Sequence, residues 1–304
     1  MIYVFRQAAS ESARELAEAI HRNCRRLRDL RDAHFGRGVR HGDTIVCWGE
    51  ALGNANGATV LNGAPMLNKY NAALKLREAG VNTVEVSPVR PQPVQPPTPV
   101  DPAVALFEAA KELAEDFSGL PQVSRDRPFR DGVTELLNVI RQLSDTVGRP
   151  APQAPAPQPV GDWVGRMNAH HGGNDLLHVP TTPDYWAKKE AFVKEIRIHC
   201  FEGKSIRAGQ KVPREGLQPH PWIRSFDAGW KIAYDGFTSQ KAQRELAARA
   251  LTALGLDFGA VDIGIKADGS LCVLEVNRAP GLEGGTTKAY ANAIERYLQG
   301  GEGD

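Results

Sequence analysis

Surplus charge is missing from this sequence. Across 304 residues, 37 Lys and Arg stand against 36 Asp and Glu, a formal net charge of +1 at pH 7. Bulk electrostatics therefore gives no case for nucleic acid or an anionic membrane as a partner. No apolar run approaches the ~18–20 residues of a membrane span. The start, Met1 to Arg6, is too short for a signal peptide and runs into charged, helix-like sequence. Cysteine is scarce. Cys24, Cys47, Cys200 and Cys272 are isolated, with neither metal-ligand nor redox spacing. They read as buried reduced thiols, and the expected location is the cytoplasm. Two nucleotide motifs are also absent. There is no Gly-x-x-x-x-Gly-Lys-Ser/Thr and no strand-linked Gly-x-Gly-x-x-Gly, which argues against P-loop and dinucleotide-binding folds.

What is present first is an alternation of strand and helix patterns, the mark of an α/β lobe. Ile2 to Phe5 reads as a strand, and Ser10 to about Arg31 as a helix with Leu16, Ile20, Leu27 and Leu30 inward. Thr44 to Trp48 is a compact buried strand, followed by a Gly/Asn-rich loop over 49–57 where ligands often sit in such folds. Asn68 to Ala79 is a helix closed by Gly80, and Val81 to Val86 the next strand. Pro91 to Pro102 and Pro150 to Pro159 read as extended tethers around two short helices. After them come strands at Trp163–Arg166, Ala191–Phe201, Ser205–Val212 and Trp230–Tyr234. A helix over Gln240–Leu254 follows, with Ser239 as its expected N-cap, and a closing helix over Thr287–Leu298. Four segments result: an α/β lobe over 1–90, a Pro-flanked helical insert over 91–160, a central segment over 161–215 and a C-terminal core over 216–304.

The most informative stretch is Gly259 to Gly281. Two β-rich runs flank Asp268-Gly269, a strong two-residue turn signal. That turn pairs Lys266 with Leu271 and sets Asp262 opposite Glu275. Alternation gives one apolar face, with Val261, Ile263, Ile265, Cys272, Leu274 and Val276. The other face carries Asp262, Gly264, Glu275 and Asn277, with Lys266, Leu271 and Val273 nearer the turn. Paired Cβ atoms lie ~4.5–5.5 Å apart. Carboxylates that close repel unless a cation lies between them. Hard cations such as Mg²⁺ take carboxylate and amide oxygens, with nucleotide phosphates completing the shell. A solvated acidic strand face is the ordinary alternative. The third oxygen donor at Asn277, the small Gly264 and the sharp end at Ala279-Pro280-Gly281 favour the metal reading.

These residues resemble the ATP-grasp superfamily of carboxylate–amine ligases, especially members similar to the ribosomal-protein glutamate ligase and phage-associated members. Val261-Asp-Ile, then Leu274-Glu-Val-Asn-Arg-Ala-Pro-Gly281, matches the family's closing motif of Asp followed by Glu-x-Asn-x-x-Pro-Gly. The resemblance implies an ATP-grasp fold with an N-terminal α/β lobe, a central lid subdomain and a C-terminal mixed-sheet core. It implies Asp262, Glu275 and Asn277 as ligands of one or two Mg²⁺, with ATP bound above them. It implies Lys69, Arg166 and Lys211 at phosphate, with His171, Gly172 and Gly173 in a closing Gly-rich loop. Lys188, Glu190, Ala191 and Phe192 fall at the hinge that holds adenine, and Glu195 matches the acid that meets ribose. Arg197 and Arg278 fall to the acyl intermediate or a substrate carboxylate. Each residue outside the closing motif also has an ordinary reading. Lys69 and Lys188 read equally as solvated lysines, Glu195 with Arg197 as a strand-face pair, and Arg278 as a surface arginine. His199 reads as structural.

The implied reaction is the ATP-dependent joining of a carboxylate to an amine through an acyl-phosphate, with release of ADP and phosphate. Its substrates would be small molecules or peptides. An ATP-grasp phosphotransferase and a non-catalytic nucleotide-binding protein are the alternatives.

Overall fold

A computed structural model describes residues 1–6, 9–20, 24–27, 39–52, 55, 57–91, 163–168 and 182–300, with single positions 138 and 176. The expected helical insert, its Pro-rich tethers and the loop bearing His171, Gly172 and Gly173 lie outside the described residues. The chain divides into two compact units, one of Met1–Arg90 with Asp162–Asp304 and one of Pro91–Gly161. All that follows concerns the first.

Its N-terminal lobe is a parallel sheet of β1 (Ile2–Phe5), β2 (Cys24–Leu27), β3 (Thr44–Cys47) and β4 (Thr59–Leu61), in the order β2-β1-β3-β4. β1 and β3 are buried along their whole length, as unbroken apolar strands of a parallel sheet should be. Between β1 and β2 runs α1 (Glu11–Ala19), whose N-cap Ser10 accepts from Ala13 N at 3.2 Å. The expected helix to Arg31 is therefore corrected. It ends at Ala19, and Cys24–Leu27 returns as a strand in register with Ile2–Phe5. A parallel strand pair needs such a crossover, and pairing with β1 overrides the helical spacing of Leu16, Ile20, Leu27 and Leu30. α2 (Lys69–Glu78) is capped by Asn68, which accepts from Asn71 N at 2.7 Å. The strand expected over 81–86 shrinks to β5 (Val86–Ser87). Before it the chain instead bonds to an edge of the C-terminal sheet, where Val273 N donates to Asn82 O at 2.8 Å.

β5 joins β6 (Trp163–Arg166) and β7 (Tyr185–Lys188) in a three-stranded antiparallel sheet, order β5-β7-β6. The C-terminal sheet is antiparallel and five-stranded. It comprises β8 (Lys194–Phe201), β9 (Lys204–Pro213), β10 (Trp230–Ala233), β11 (Phe258–Ile265) and β12 (Leu271–Asn277), ordered β10-β9-β8-β11-β12. The sequence of β8 shows how this sheet divides its faces. Ile196 and Ile198 are fully buried against α3 (Lys241–Leu254), together with Val261, Ile263 and Val273. Alternation turns Glu195, Arg197 and His199 the other way. The N-cap of α3 is Gln240, not Ser239. Gln240 and Gln243 form a reciprocal capping box, and Gly255 closes the helix at φ +70°. α4 (Gly285–Leu298) packs with α1 and β9. Trp48 stacks on Phe258 at 5.4 Å and meets the edge of Tyr290, joining β3, β11 and α4.

The β11–β12 hairpin corrects the expected register near its turn. The loop is three residues long: Lys266 N donates to Ser270 O at 2.9 Å, and Gly269 takes φ +82°. This pairs Ile263 with Val273, one residue off the two-residue expectation. An irregularity between Asp262 and Ile263 then leaves Leu274 as the extra residue and restores Asp262 opposite Glu275. Val273 is consequently in the core, while Leu274 faces the cavity described below.

Cys47, Cys200 and Cys272 are buried free thiols, and burial pushes Cys47 and Cys200 up to about 12 and Cys272 to about 11. Cys24 is half-buried and is pushed by burial to about 11. Among the described residues no helix is long and apolar enough to cross a membrane.

Candidate functional site

The three-stranded sheet and the open face of the five-stranded sheet line a cavity of about 760 Å³. Its floor carries Glu195 and Arg197 from β8, Lys211 from β9, Asp262 from β11, and Glu275 and Asn277 from β12. Lys69 from α2, Arg166 from β6 and Lys188 from β7 line the same space. Eleven residues of the sequence-derived set thus converge on one cavity, Glu190 and Phe192 among them.

The floor is a lattice of ion pairs. Arg197 Nε donates to Asp262 Oδ1 at 2.6 Å, and Arg197 Nη2 to Asp262 Oδ2 at 2.8 Å. Lys211 Nζ donates to Glu195 Oε2 at 2.9 Å and lies 3.7 Å from Asp262 Oδ2. Lys69 Nζ donates to Glu275 Oε1 at 2.7 Å. Burial alone would raise the Asp262 carboxyl. The Arg197 guanidinium, then the Lys211 ammonium, outweigh it and hold Asp262 well below the ordinary carboxylate range. Burial likewise opposes charge on Lys211, but Asp262 and Glu195 prevail and raise it. Arg197 stays charged against burial for the same reason.

Two glycines give this floor its shape. A Cβ on Gly209, which pairs with Arg197, would meet Ile232, Ala233 O and Tyr234 at 2.7–2.8 Å. A Cβ on Gly264 would come within 2.4 Å of Phe192 Cδ1. The Phe192 ring therefore lies directly on β11, and the hinge after β7 is drawn onto the sheet. Arg224 Nη2 donates to Phe192 O at 2.7 Å, and Lys266 pairs with Glu190 at 2.8 Å. Ala191 is exposed and is not among the cavity residues. Lys188 Nζ lies 3.4 Å from Glu85. We expect Gly264→Ala to displace Phe192 and destabilise the protein by ~1–3 kcal/mol in urea unfolding, because overpacking forces side chains and backbone to shift. Unchanged stability would mean that Phe192 does not bear on β11.

His199, read as structural, is fully buried. Its Nδ1 lies 3.2 Å from the Tyr290 hydroxyl and its Nε2 3.0 Å from the Tyr234 hydroxyl. Burial, then the Arg197 charge, lowers its pKa to about 3. The unfolded chain binds a proton there below about pH 6.5, which the folded chain refuses. Stability is therefore lost as pH falls from about 6.5 toward 3, by up to ~1.4 kcal/mol per pH unit from this group. Urea unfolding at pH 7 and pH 4.5 should show a shallower loss in His199→Gln. A slope identical to that of the unsubstituted protein would contradict this account.

Arg278 is not among the cavity residues. Its guanidinium donates to Asn62 O at 2.5 Å, Ala64 O at 2.9 Å, and Pro65 O and Glu50 O at 3.2 Å. Those partners lie in loops after β3 and β4. Nearby Asn62, buried and at φ +56°, donates to Phe258 O at 2.9 Å and accepts from Asp257 N at 2.8 Å. The sequence reading did not single out Arg224, Trp222 or Tyr234, which all line the cavity. A signal for two of them was the interleaving of Trp222, Arg224 and Phe226.

Hard oxygen donors suit a divalent cation. Asp262 and Glu275 are in register, and Asn277 follows two residues on, on the same face of β12. Among the described residues no group of three or more His, Cys, Asp or Glu is placed to hold a metal ion.

No protein-family model and no curated protein matches the chain. Solved structures do. The ATP-grasp ligase PsnB, complexed with a minimal precursor, is similar over 97% of this chain and 98% of that one, with a TM-score of 0.55 at 12% identity. PsnB with a phosphomimetic variant of that precursor, Mg and ADP gives 0.54 at 12% identity, over 98% of each chain. D-alanine–D-alanine ligase from Bacillus anthracis gives 0.53 at 14% identity, over 98% of this chain and 96% of that one. The chain has the ATP-grasp fold.

Proposed function

We propose that this protein is an ATP-dependent carboxylate–amine ligase. The observation that carries the reading is the pairing of Asp262 with Glu275 on the floor of a cavity that Lys69, Arg166, Arg197 and Lys211 also line. The ATP-grasp fold supports it, because the neighbours that share the fold are ligases and one is complexed with Mg and ADP.

Asp262, Glu275 and Asn277 would hold one or two magnesium ions. A bound magnesium ion supplies positive charge between those oxygens and the phosphates of ATP. Lys69, Arg166 and Lys211 steady the phosphate oxygens. Backbone groups of the hinge over 188–192 receive the adenine ring, and Glu195 accepts from ribose. A substrate carboxylate attacks the γ-phosphorus, forming an acyl-phosphate and releasing ADP. Both reactants are anions, so their encounter is repulsive until these cations neutralise it. An amine then attacks the acyl carbon, phosphate leaves, and an amide remains. Arg197 lies nearest to the floor carboxylates and would stabilise the tetrahedral oxyanion. Arg278 serves instead to lock the end of β12 to the N-terminal lobe. His171, Gly172 and Gly173 would close over the acyl-phosphate and exclude water.

The neighbours act on a precursor peptide in one case and on D-alanine in the other, so small molecules and peptides are the substrate classes to test. The experiment is incubation with Mg²⁺–ATP and pooled amino acids or peptides, followed by mass spectrometry. New amides together with ADP and free phosphate support the ligase. A phosphorylated product without an amide would indicate a phosphotransferase. Bound but unconsumed ATP would indicate a non-catalytic nucleotide-binding protein.

A further inference from the structure

Every acidic side chain on the cavity floor is already paired with a cation. Glu275 has Lys69, and Glu195 has Lys211. Asp262 is the most tightly held: the Arg197 fork takes both of its oxygens, and Lys211 stands 3.7 Å away. The Asp262 side chain is only 6% exposed, and that of Arg197 is 20% exposed and borders the cavity. Asp262 therefore has little solvent through which a third cation could approach it. Arg197, by contrast, borders the cavity, and Gly209 beside it on β9 adds no side chain of its own, its place being taken by Ile232 and Tyr234. A guanidinium released from Asp262 needs another anion. A triphosphate in the same cavity offers one with matching fork geometry.

Resting on the ligase reading of this site, we infer that Arg197 guards Asp262 against metal until a triphosphate draws the guanidinium away. One carboxylate is exchanged between two cations, and nothing is broken or oxidised. Divalent metal alone binds weakly, because it must displace an arginine whose hydrogen bonds, among the described residues, go to Asp262. Metal and triphosphate then assist each other's binding, and linkage makes that assistance reciprocal. The arrangement also makes the order of binding a property of Arg197, separate from any part it takes in the chemistry.

The test uses the full-length protein without nucleotide, with Mn²⁺ as probe and water-proton relaxation as readout. Arg197→Met should bind Mn²⁺ about 10-fold or more tighter than the unsubstituted protein, within the usual span of such couplings. Arg197→Lys, whose single ammonium cannot fork both oxygens, should bind Mn²⁺ with intermediate affinity. It also serves if Arg197→Met fails to fold. Equal or weaker Mn²⁺ affinity in the folded variants overturns the guard. Adding Asp262→Asn to Arg197→Met should abolish the tight binding. If the double variant binds Mn²⁺ as well as Arg197→Met alone, the ion is not at Asp262, and the ligase site itself is misplaced.

Discussion

Asp262→Asn should reduce Mg²⁺-dependent ADP formation by at least about 10³-fold, the scale expected when a preorganised charge at a phosphoryl-transfer centre is removed. It should also destabilise the protein by ~3–5 kcal/mol, because Arg197 and Lys211 would be left buried without their shared counter-charge. Glu275→Gln separates the two effects. The Glu275 side chain is 32% exposed and its partner Lys69 26%, so stability should fall by no more than ~1 kcal/mol. Its turnover should fall as steeply as that of Asp262→Asn. Steady-state ADP release and urea unfolding on the same preparations check both. Normal turnover in either variant would mean that the paired acids do not serve nucleotide chemistry. The bidentate arginine makes Asp262 a structural residue as well.

Arg278→Met should destabilise the protein by ~3 kcal/mol or more, since buried carbonyls left without a donor cost ~1–3 kcal/mol each. The acceptors at risk are those of Glu50, Asn62 and Ala64, since Pro65 is exposed to water. Arg278→Lys should rescue little, because an ammonium cannot span four acceptors that a planar guanidinium reaches at once. A loss within ~0.5 kcal/mol, typical of surface sites, would show the clamp to be idle. Activity should fall as well. Arg278 directly follows Asn277, and its bonds tie that end of β12 to the loops after β3 and β4.

What the sequence disclosed follows from how local each feature is. The faces of β8 were open to reading because Glu-Ile-Arg-Ile-His alternates and period two is a property of the strand itself. The acid pair was legible too, though its register rested on a turn that proved one residue longer. The extra residue in the loop and the extra residue at Leu274 cancel at Asp262, so the prediction reached the right pair and put Val273 on the wrong face. β2 was hidden because it is fixed by pairing with β1 across a crossover, while its Leu27 stands at helical spacing from Leu30. Arg278 was hidden more deeply. Its acceptors are backbone carbonyls more than 200 residues away, and carbonyls carry no sequence signature. Arg224 was obscured for the same reason, since its partner is the Phe192 carbonyl.

The most direct measurement is anomalous diffraction from crystals grown with Mn²⁺ and a non-hydrolysable ATP analogue. The account predicts an anomalous peak bounded by the Asp262 and Glu275 carboxylates and the Asn277 amide oxygen, with phosphate oxygens on its open side and Arg197 turned toward them. A peak elsewhere in the cavity, or nucleotide bound with Asp262 still clasped by Arg197 and no ion beside it, would contradict it.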